Sequence, residues 1–327
     1  MVMLGAAGRD RNDMESGALH SEGLPGADAV RRIADAVRRR VLEHTLTNNG
    51  GYLSQACSSA ETLATLYTRV MRLGPSQAPL VPRPFAGVPG PENPEAFSGA
   101  GYNGPRAPHL DRFVFSPVHY ALVLYSLLIE LGRLGADALA AFNRDGSTVE
   151  LIGAEHSPGH ELTAGSLAQA LSQAGGIALG RRLRGETGRV WVFMSDGEFQ
   201  EGQTWEALAA LAFHRLGNLG VYVDANAQQC DGAMEAVMTI EPLAERLRAF
   251  GVEVHEVDGH DPEALAVPAA GWGRGDRPLV VIARTDPCRG IDLLRARAPK
   301  LHYVRFTDRQ DRAAYQRLLE RLRREAV

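Results

Sequence analysis

The chain has 327 residues, 45% hydrophobic and 23% charged, with 35 basic side chains against 39 acidic ones and a formal charge of −4. This excludes a wholly disordered chain and gives no electrostatic reason to bind nucleic acid or an anionic membrane. Three cysteines with no CxxC pair exclude a disulfide framework or a cysteine-held zinc, and a single lysine, Lys300, excludes a Walker A loop.

Residues 1–25 carry Gly, Ser, Asp and Glu without periodicity and read as a flexible arm. They turn polar where a secretory leader needs its apolar segment, and no run approaches the roughly 20 apolar residues of a membrane span. The cytoplasm is the expected location. Val30, Ile33, Val37 and Val41 recur at steps of three and four between arginines, which predicts an amphipathic helix. The stretch 74–108 is too dense in Pro and Gly for a helix or a central strand. It predicts an irregular excursion of the kind that covers a site or meets a partner.

Beyond Leu110 the pattern alternates. Helices are expected over 119–133, 164–184, 202–216 and 242–250, and strands over 190–194, 219–223, 252–257 and 279–283. Tyr315, Leu318, Leu319 and Leu322 predict a closing amphipathic helix. Strands apolar on both faces and separated by helices predict an α/β fold, a parallel sheet covered by helices on both faces, as one domain over 26–327.

In such a sheet, ligands bind beyond the carboxyl ends of the strands. The segment WVFMSDGEFQEGQTWEA puts Asp196 and Gly197 at that edge, and LGVYVDANAQQCDG puts Asn226 at the end of the next strand, 30 residues on. Asp196 offers a hard oxygen suited to Mg²⁺ or Ca²⁺ rather than zinc, and Gly197 allows close backbone approach to an anion. Taken singly, an Asp-Gly after a strand and an Asn at a strand end are ordinary turn features. One βα unit separates neighbouring parallel strands by about this length, so the pair can face one gap.

DGEFQEGQTWEA followed by NLGVYVDANAQQCDG resembles the thiamine diphosphate-binding motif in the form found in transketolases. DRFVFSPVHYALVLYSLL, ELTAGSLAQALSQAGGIALG and VEVHEVDGHDPEAL resemble further segments of that family in the same order, from about residue 32 to about 305. The resemblance implies a thiamine diphosphate-binding fold. It also implies that Asp196, the Asn226 side chain and the Gln228 main-chain oxygen hold Mg²⁺, or Ca²⁺ or Mn²⁺, against the cofactor diphosphate. Gly197 and Glu198 would present backbone to that diphosphate, and Gly165, Ser166 and Leu167 would line the aminopyrimidine. His119 matches a histidine near the thiazolium and substrate, with helix capping as its alternative role. Glu201 matches an acid linking subunits, and could equally complement a helix dipole. His260 is expected to organise the turn before a helix and His302 to be at most a substrate contact.

The implied reaction is transfer of a two-carbon ketol unit from a ketose to an aldehyde. Because the family's pyrimidine-binding and C-terminal domains have no counterpart here, the resemblance implies a second subunit carrying them, as α2β2. Two alternatives share the architecture: an alpha-type subunit of a 2-oxo acid dehydrogenase, and a catalytically inactive scaffold. A dinucleotide-binding dehydrogenase lacks its GxGxxG. Several positions depart from the family pattern. Asn48, within Thr47-Asn48-Asn49-Gly50-Gly51, is expected to replace the histidine of a GHxGG pattern. SPVH stands for SKGH, AGSLAQA for TGSLGQG, and Ser195 for the first glycine of GDG. These changes put bulk where relatives keep backbone bare and predict altered substrate specificity.

Overall fold

The computed structural model describes residues 24–326 apart from 89, 95, 273 and 274. The arm expected over 1–25 lies outside them except for its last two positions. Helix α1 (Ala27–Asn48) turns Val30, Val37 and Val41 inward, as their spacing dictates, and ends where Asn49 takes the left-handed conformation. Helix α2 (Leu53–Thr65) was not expected. It is buried along its whole length, and its apolar residues, Leu53, Ala56, Cys57, Ala60, Leu63 and Ala64, do recur at helical spacing, but most are small and stand among serines and threonines. Through the excursion no helix or strand longer than an isolated bridge forms among the described residues before the 3₁₀ turn Gly99–Asn103. Bonds such as Phe85 N–H to Gly146 O (2.8 Å) and Gly135 N–H to Leu80 O (2.7 Å) hold it against the chain that follows.

The sheet contains β1 (Arg112–Phe115), β2 (Val190–Ser195), β3 (Leu219–Ala225), β6 (Glu253–Asp258) and β7 (Leu279–Arg284), all parallel, in the order β1-β2-β3-β7-β6. A two-residue hairpin, β4 (Gln228–Gln229) with β5 (Gly232–Ala233), follows β3. The remaining helices are α3 (Ala121–Glu130), α4 (Gln169–Leu183), α5 (Gly202–Phe213), α6 (Met234–Val237), α7 (Leu243–Ala249), α8 (Pro262–Gly271) and α9 (Arg309–Glu325). The expected helices are shorter than read, the one placed at 202–216 ending at Phe213. The one placed at 119–133 is a 3₁₀ turn followed by α3, and the one placed at 164–184 begins only at Gln169, because Ala168 is left-handed. Strand β1 was missed, and β6 corrects the expectation of strands apolar on both faces. At the sheet edge, its Glu256 and Asp258 are exposed.

Strand alternation divides the interior into two cores. Phe113, Phe115, Trp191, Phe193 and Tyr222 face α1, α2, α3, α8 and α9, whereas Val114, Val190, Val192, Val221 and Val223 face α4, α5 and α7. The aromatic face needs space in the central strand: a Cβ at Gly220 would collide with the Trp191 ring. On the valine face, Ala170, Ala174 and Ala178 let α4 approach closely. No helix among the described residues is long and apolar enough to cross a membrane.

A buried ionic chain ties the aromatic side together. Arg38, on α1, pairs with Glu61 on α2 and donates to Cys57 O (3.1 Å). Glu61 also meets His260 Nδ1 (3.1 Å), and His260 Nε2 accepts the Asp286 N–H (2.8 Å). That acceptance fixes the tautomer: Nδ1 carries the proton and donates to Glu61. His260 thus joins the turn before α8 to α2 and to the loop after β7.

Candidate functional site

Strands β2 and β3 run in register to the same edge, with Ser195 beside Asp224. Just beyond them Asp196 opens the 3₁₀ turn Asp196–Gln200, and Asn226 leads into the β4–β5 hairpin. The two tips touch: Asp196 Oδ2 accepts the Ala227 N–H at 2.8 Å, while Asn226 Oδ1 accepts the Gln228 N–H at 2.9 Å. Asp196, Asn226, Gly197 and Gln228 line one cavity of about 170 Å³ together with His119 and Leu167.

A carboxylate not singled out in the sequence underlies this cavity. Asp224 is fully buried. Its Oδ2 accepts from Ser58 Oγ (2.6 Å), Asn226 Nδ2 (3.0 Å) and Tyr120 OH (3.1 Å), and its Oδ1 from Thr285 Oγ1 (2.6 Å). Tyr120 OH accepts from Asn226 Nδ2 as well (3.1 Å), so the amide is oriented by two partners. Burial raises the Asp224 pKa despite these donors. Burial and then the Asp224 charge push Asp196 up to about 8.

Two neighbouring buried acids whose ionised forms are disfavoured make a place where a divalent cation would be stabilising. The donors are hard oxygens, as such an ion requires, and the Gln228 Oε1 atom is buried without a partner. A Cβ at Gly197 would lie 2.5 Å from Gln229 Nε2, so a larger residue there would have to push aside the end of that side chain. Among the described residues no group of three His, Cys, Asp or Glu side chains could hold a metal. An ion here would therefore rest on a mixed set of carboxylate, amide and main-chain oxygens.

Glu198 proves to be an internal clamp. Its Oε2 accepts from Ser195 N–H (2.8 Å) and Ser195 Oγ (3.2 Å), and its Oε1 from Ala168 N–H (3.1 Å) and Ser116 Oγ. The carboxyl joins the ends of β1 and β2 to the 164–168 loop, and burial raises its pKa. Ala168 (φ 68°) and Ala227 (φ 56°) are both left-handed, a conformation costing alanine about 1–2 kcal/mol. Each aims its N–H at a buried carboxylate, Glu198 in one case and Asp196 in the other. Gly165 and Ser166 are exposed and off the cavity wall, whereas their neighbour Leu167 is on it. Glu201 is exposed at the start of α5, without a side-chain capping bond, and lies outside the cavity.

His119 stands at the cavity's other side. Burial, then the nearby His302, lowers its pKa to about 3, so the ring is neutral at physiological pH. His302, also a wall residue, is 5.2 Å from His119 by ring centroids, and its main-chain oxygen accepts from Gln55 Nε2 (3.1 Å). Tyr52 packs against both, with centroids 5.6 Å from His119 and 5.3 Å from His302.

That arrangement corrects the expectation for Asn48. Its side chain folds back on α1, Nδ2 donating to His44 O at 2.9 Å, and it does not line this cavity. The residue beside His119 is Tyr52. Ser54 and Gln55, which follow it on α2, are wall residues of the cavity.

Residues 100–291 match a family model described as the transketolase thiamine diphosphate-binding domain. A transketolase family protein of Sinorhizobium fredii is 33% identical over 289 residues, covering 88% of this chain and 91% of that protein. An apulose-4-phosphate transketolase subunit from Actinobacillus succinogenes is 29% identical, covering 84% and 91%, and the 6-deoxy-6-sulfo-D-fructose transketolase subunit of a Clostridium species is 28% identical, covering 86% and 93%. Among solved structures, Pichia stipitis transketolase superposes with a TM-score of 0.65 at 21% identity over 92% of this chain. Campylobacter jejuni transketolase gives 0.65 at 18% identity, also over 92%. The chain spans about half the length of these solved proteins, 45% and 48%.

Proposed function

We propose, from the premise that this chain belongs to the transketolase family, that it is the diphosphate-binding subunit of a two-chain transketolase moving a two-carbon ketol unit from a ketose to an aldehyde. The observation that carries the reading is the meeting of the β2 and β3 tips, where Asp196 and the Asn226 loop share a hydrogen bond at the floor of a cavity that His119 overlooks. Asp196, Asn226 Oδ1 and the Gln228 main-chain oxygen would hold the divalent ion, Mg²⁺ by its preference for oxygen donors and phosphate. Gly197 and the Glu198 backbone would face the diphosphate, and Gly165, Ser166 and Leu167 the aminopyrimidine. Thiamine diphosphate, when bound, supplies carbanion stabilisation for breaking and forming a carbon–carbon bond.

This chain's own part is placement. Asp224 and Tyr120 orient the Asn226 amide. Glu198 fixes the 164–168 loop against β2. His119, neutral and confined by Tyr52 and His302, can exchange hydrogen bonds with a substrate hydroxyl but does not carry positive charge near pH 7. Two of the relatives are named as subunits, which supports a partner chain bearing the pyrimidine-binding and C-terminal domains. Glu201, exposed at the start of α5, would meet it, and α2β2 is the proposed stoichiometry. We take residues 26–327 as one domain working in the cytoplasm.

Mixing the chain with its partner, thiamine diphosphate and Mg²⁺ is expected to give ketose-dependent extension of an aldehyde. Calorimetry showing no cofactor binding by the assembled complex would overturn the reading. His119→Ala is expected to leave cofactor affinity unchanged and to lower kcat about 100-fold, the cost of a misplaced substrate. Unchanged turnover in steady-state assays would return His119 to a structural role.

A further inference from the structure

Behind Tyr52 lies a second cavity, of about 280 Å³, that the transfer chemistry does not use. Tyr52 borders both: its ring packs against His119 and His302 of the first cavity, and it lines the second together with Tyr303, 5.1 Å away by centroids. The floor is apolar, formed by Leu122, Phe142 and Leu151. The rim is polar and open, since Asn48 and Asn143 are exposed. His44 closes one wall, stacked edge-on to Phe142 at 4.8 Å, and its Nδ1 is buried with no hydrogen-bond partner. Burial lowers its pKa to about 4, so the ring is neutral.

Among the described residues no Lys, Arg, Asp or Glu lines this cavity. A phosphate or carboxylate there would be desolvated against aromatic and aliphatic carbon without a counter-charge, which is costly. An uncharged group with an apolar face and one or two hydroxyls would instead cover Phe142 and Leu151 and partner the Asn48 and Asn143 amides at the rim. Cavities of about 150 Å³ already accept a benzene ring, so the space suffices for a ring or a short polyol.

We propose that this second cavity binds the part of the substrate remote from the two transferred carbons, and that it selects an uncharged, hydroxylated group with an apolar face over a phosphorylated one. The role rests on the transketolase reading; the existence of the site does not.

The test compares 3-hydroxybenzaldehyde with D-erythrose 4-phosphate as acceptors in the two-chain complex, for the native chain and for Leu151→Trp and Asn48→Trp, which fill the cavity from its floor and its mouth. The neutral aldehyde is expected to have the lower KM. Each filling variant should raise that KM about tenfold or more, with kcat and thiamine diphosphate affinity unchanged. A lower KM for the phosphorylated aldehyde, or an unaltered KM in whichever variants fold as judged by circular dichroism, would overturn the proposal while leaving the cofactor reading intact. If the native complex fails to bind thiamine diphosphate, that reading falls alone. Ligand-observed NMR of the full chain with 3-hydroxybenzaldehyde then decides the site: binding weakened by Asn48→Trp or Leu151→Trp supports it, and no binding overturns it.

Discussion

Replacing Asp196 with alanine is expected to reduce the Mg²⁺-dependent affinity of the assembled complex for thiamine diphosphate by more than about 100-fold, since loss of even an outer-sphere partner of a metal costs about 10–100-fold. The side chain is buried, accepts the Ala227 N–H, and sits with Asp224 in an acidic pair that a cation would neutralise. Without a bound ion the same change should cost little stability. Removing a buried acid whose ionised form burial and the Asp224 charge already disfavour offsets the loss of the Ala227 bond, so thermal unfolding in chelator should move by only a few degrees. Isothermal titration with and without Mg²⁺, beside a melting curve in chelator, separates the effects. Retained affinity would mean that Asp196 is not a ligand.

The second large effect lies away from the cavity. Arg38→Ala removes the buried partner of Glu61 and should destabilise the chain by about 3–5 kcal/mol, the usual result of leaving one member of a buried pair uncompensated. Burial alone would raise the Glu61 pKa, but the His260 hydrogen bond and the Arg38 charge outweigh it and hold the carboxyl below its ordinary 4.5. The sign of the pH dependence follows. A depressed carboxylate contributes stability that is complete above the unfolded value and disappears as pH falls through the lower folded one. Denaturant midpoints for native and Arg38→Ala chains should therefore differ most above about pH 5 and converge in stronger acid. A difference that stays constant down to about pH 2 would locate the effect in lost packing instead.

How much of this was legible depended on which physical signal each element carries. The parallel sheet was readable because β2, β3 and β7 are continuous apolar runs, and α1 and α9 because their apolar residues recur at helical spacing. Helix α2 carried the same spacing at Leu53, Ala56, Cys57, Ala60, Leu63 and Ala64 and was overlooked because most of these side chains are small, whereas the burial of Ser54, Ser58, Ser59 and Thr62 comes from tertiary contacts that no local pattern records. At the cavity, the motif spacing brought forward Asp196, Gly197 and Asn226 and the family resemblance added Gln228, and all four line one cavity. Asp224 was overlooked although it carried a signal: a carboxylate inside the apolar run of β3 must find several donors to be buried there. Tyr52 was overlooked because the glycine pair 50–51 drew the expectation to Asn48, whose side chain instead folds back on α1. Only the ring contacts with His119 and His302 reveal it as their neighbour.

The paired left-handed alanines have a consequence for sequence change. Few residues could stand at 168 or 227 without a penalty: glycine, which has no Cβ to clash, and asparagine or aspartate, which tolerate that backbone. A β-branched replacement would swing the amide away from Glu198 or Asp196 and uncouple a surface loop from the acid beneath it. The mouth of the cavity is accordingly brittle toward mutation even at Ala227, an exposed position where most proteins accept almost any side chain.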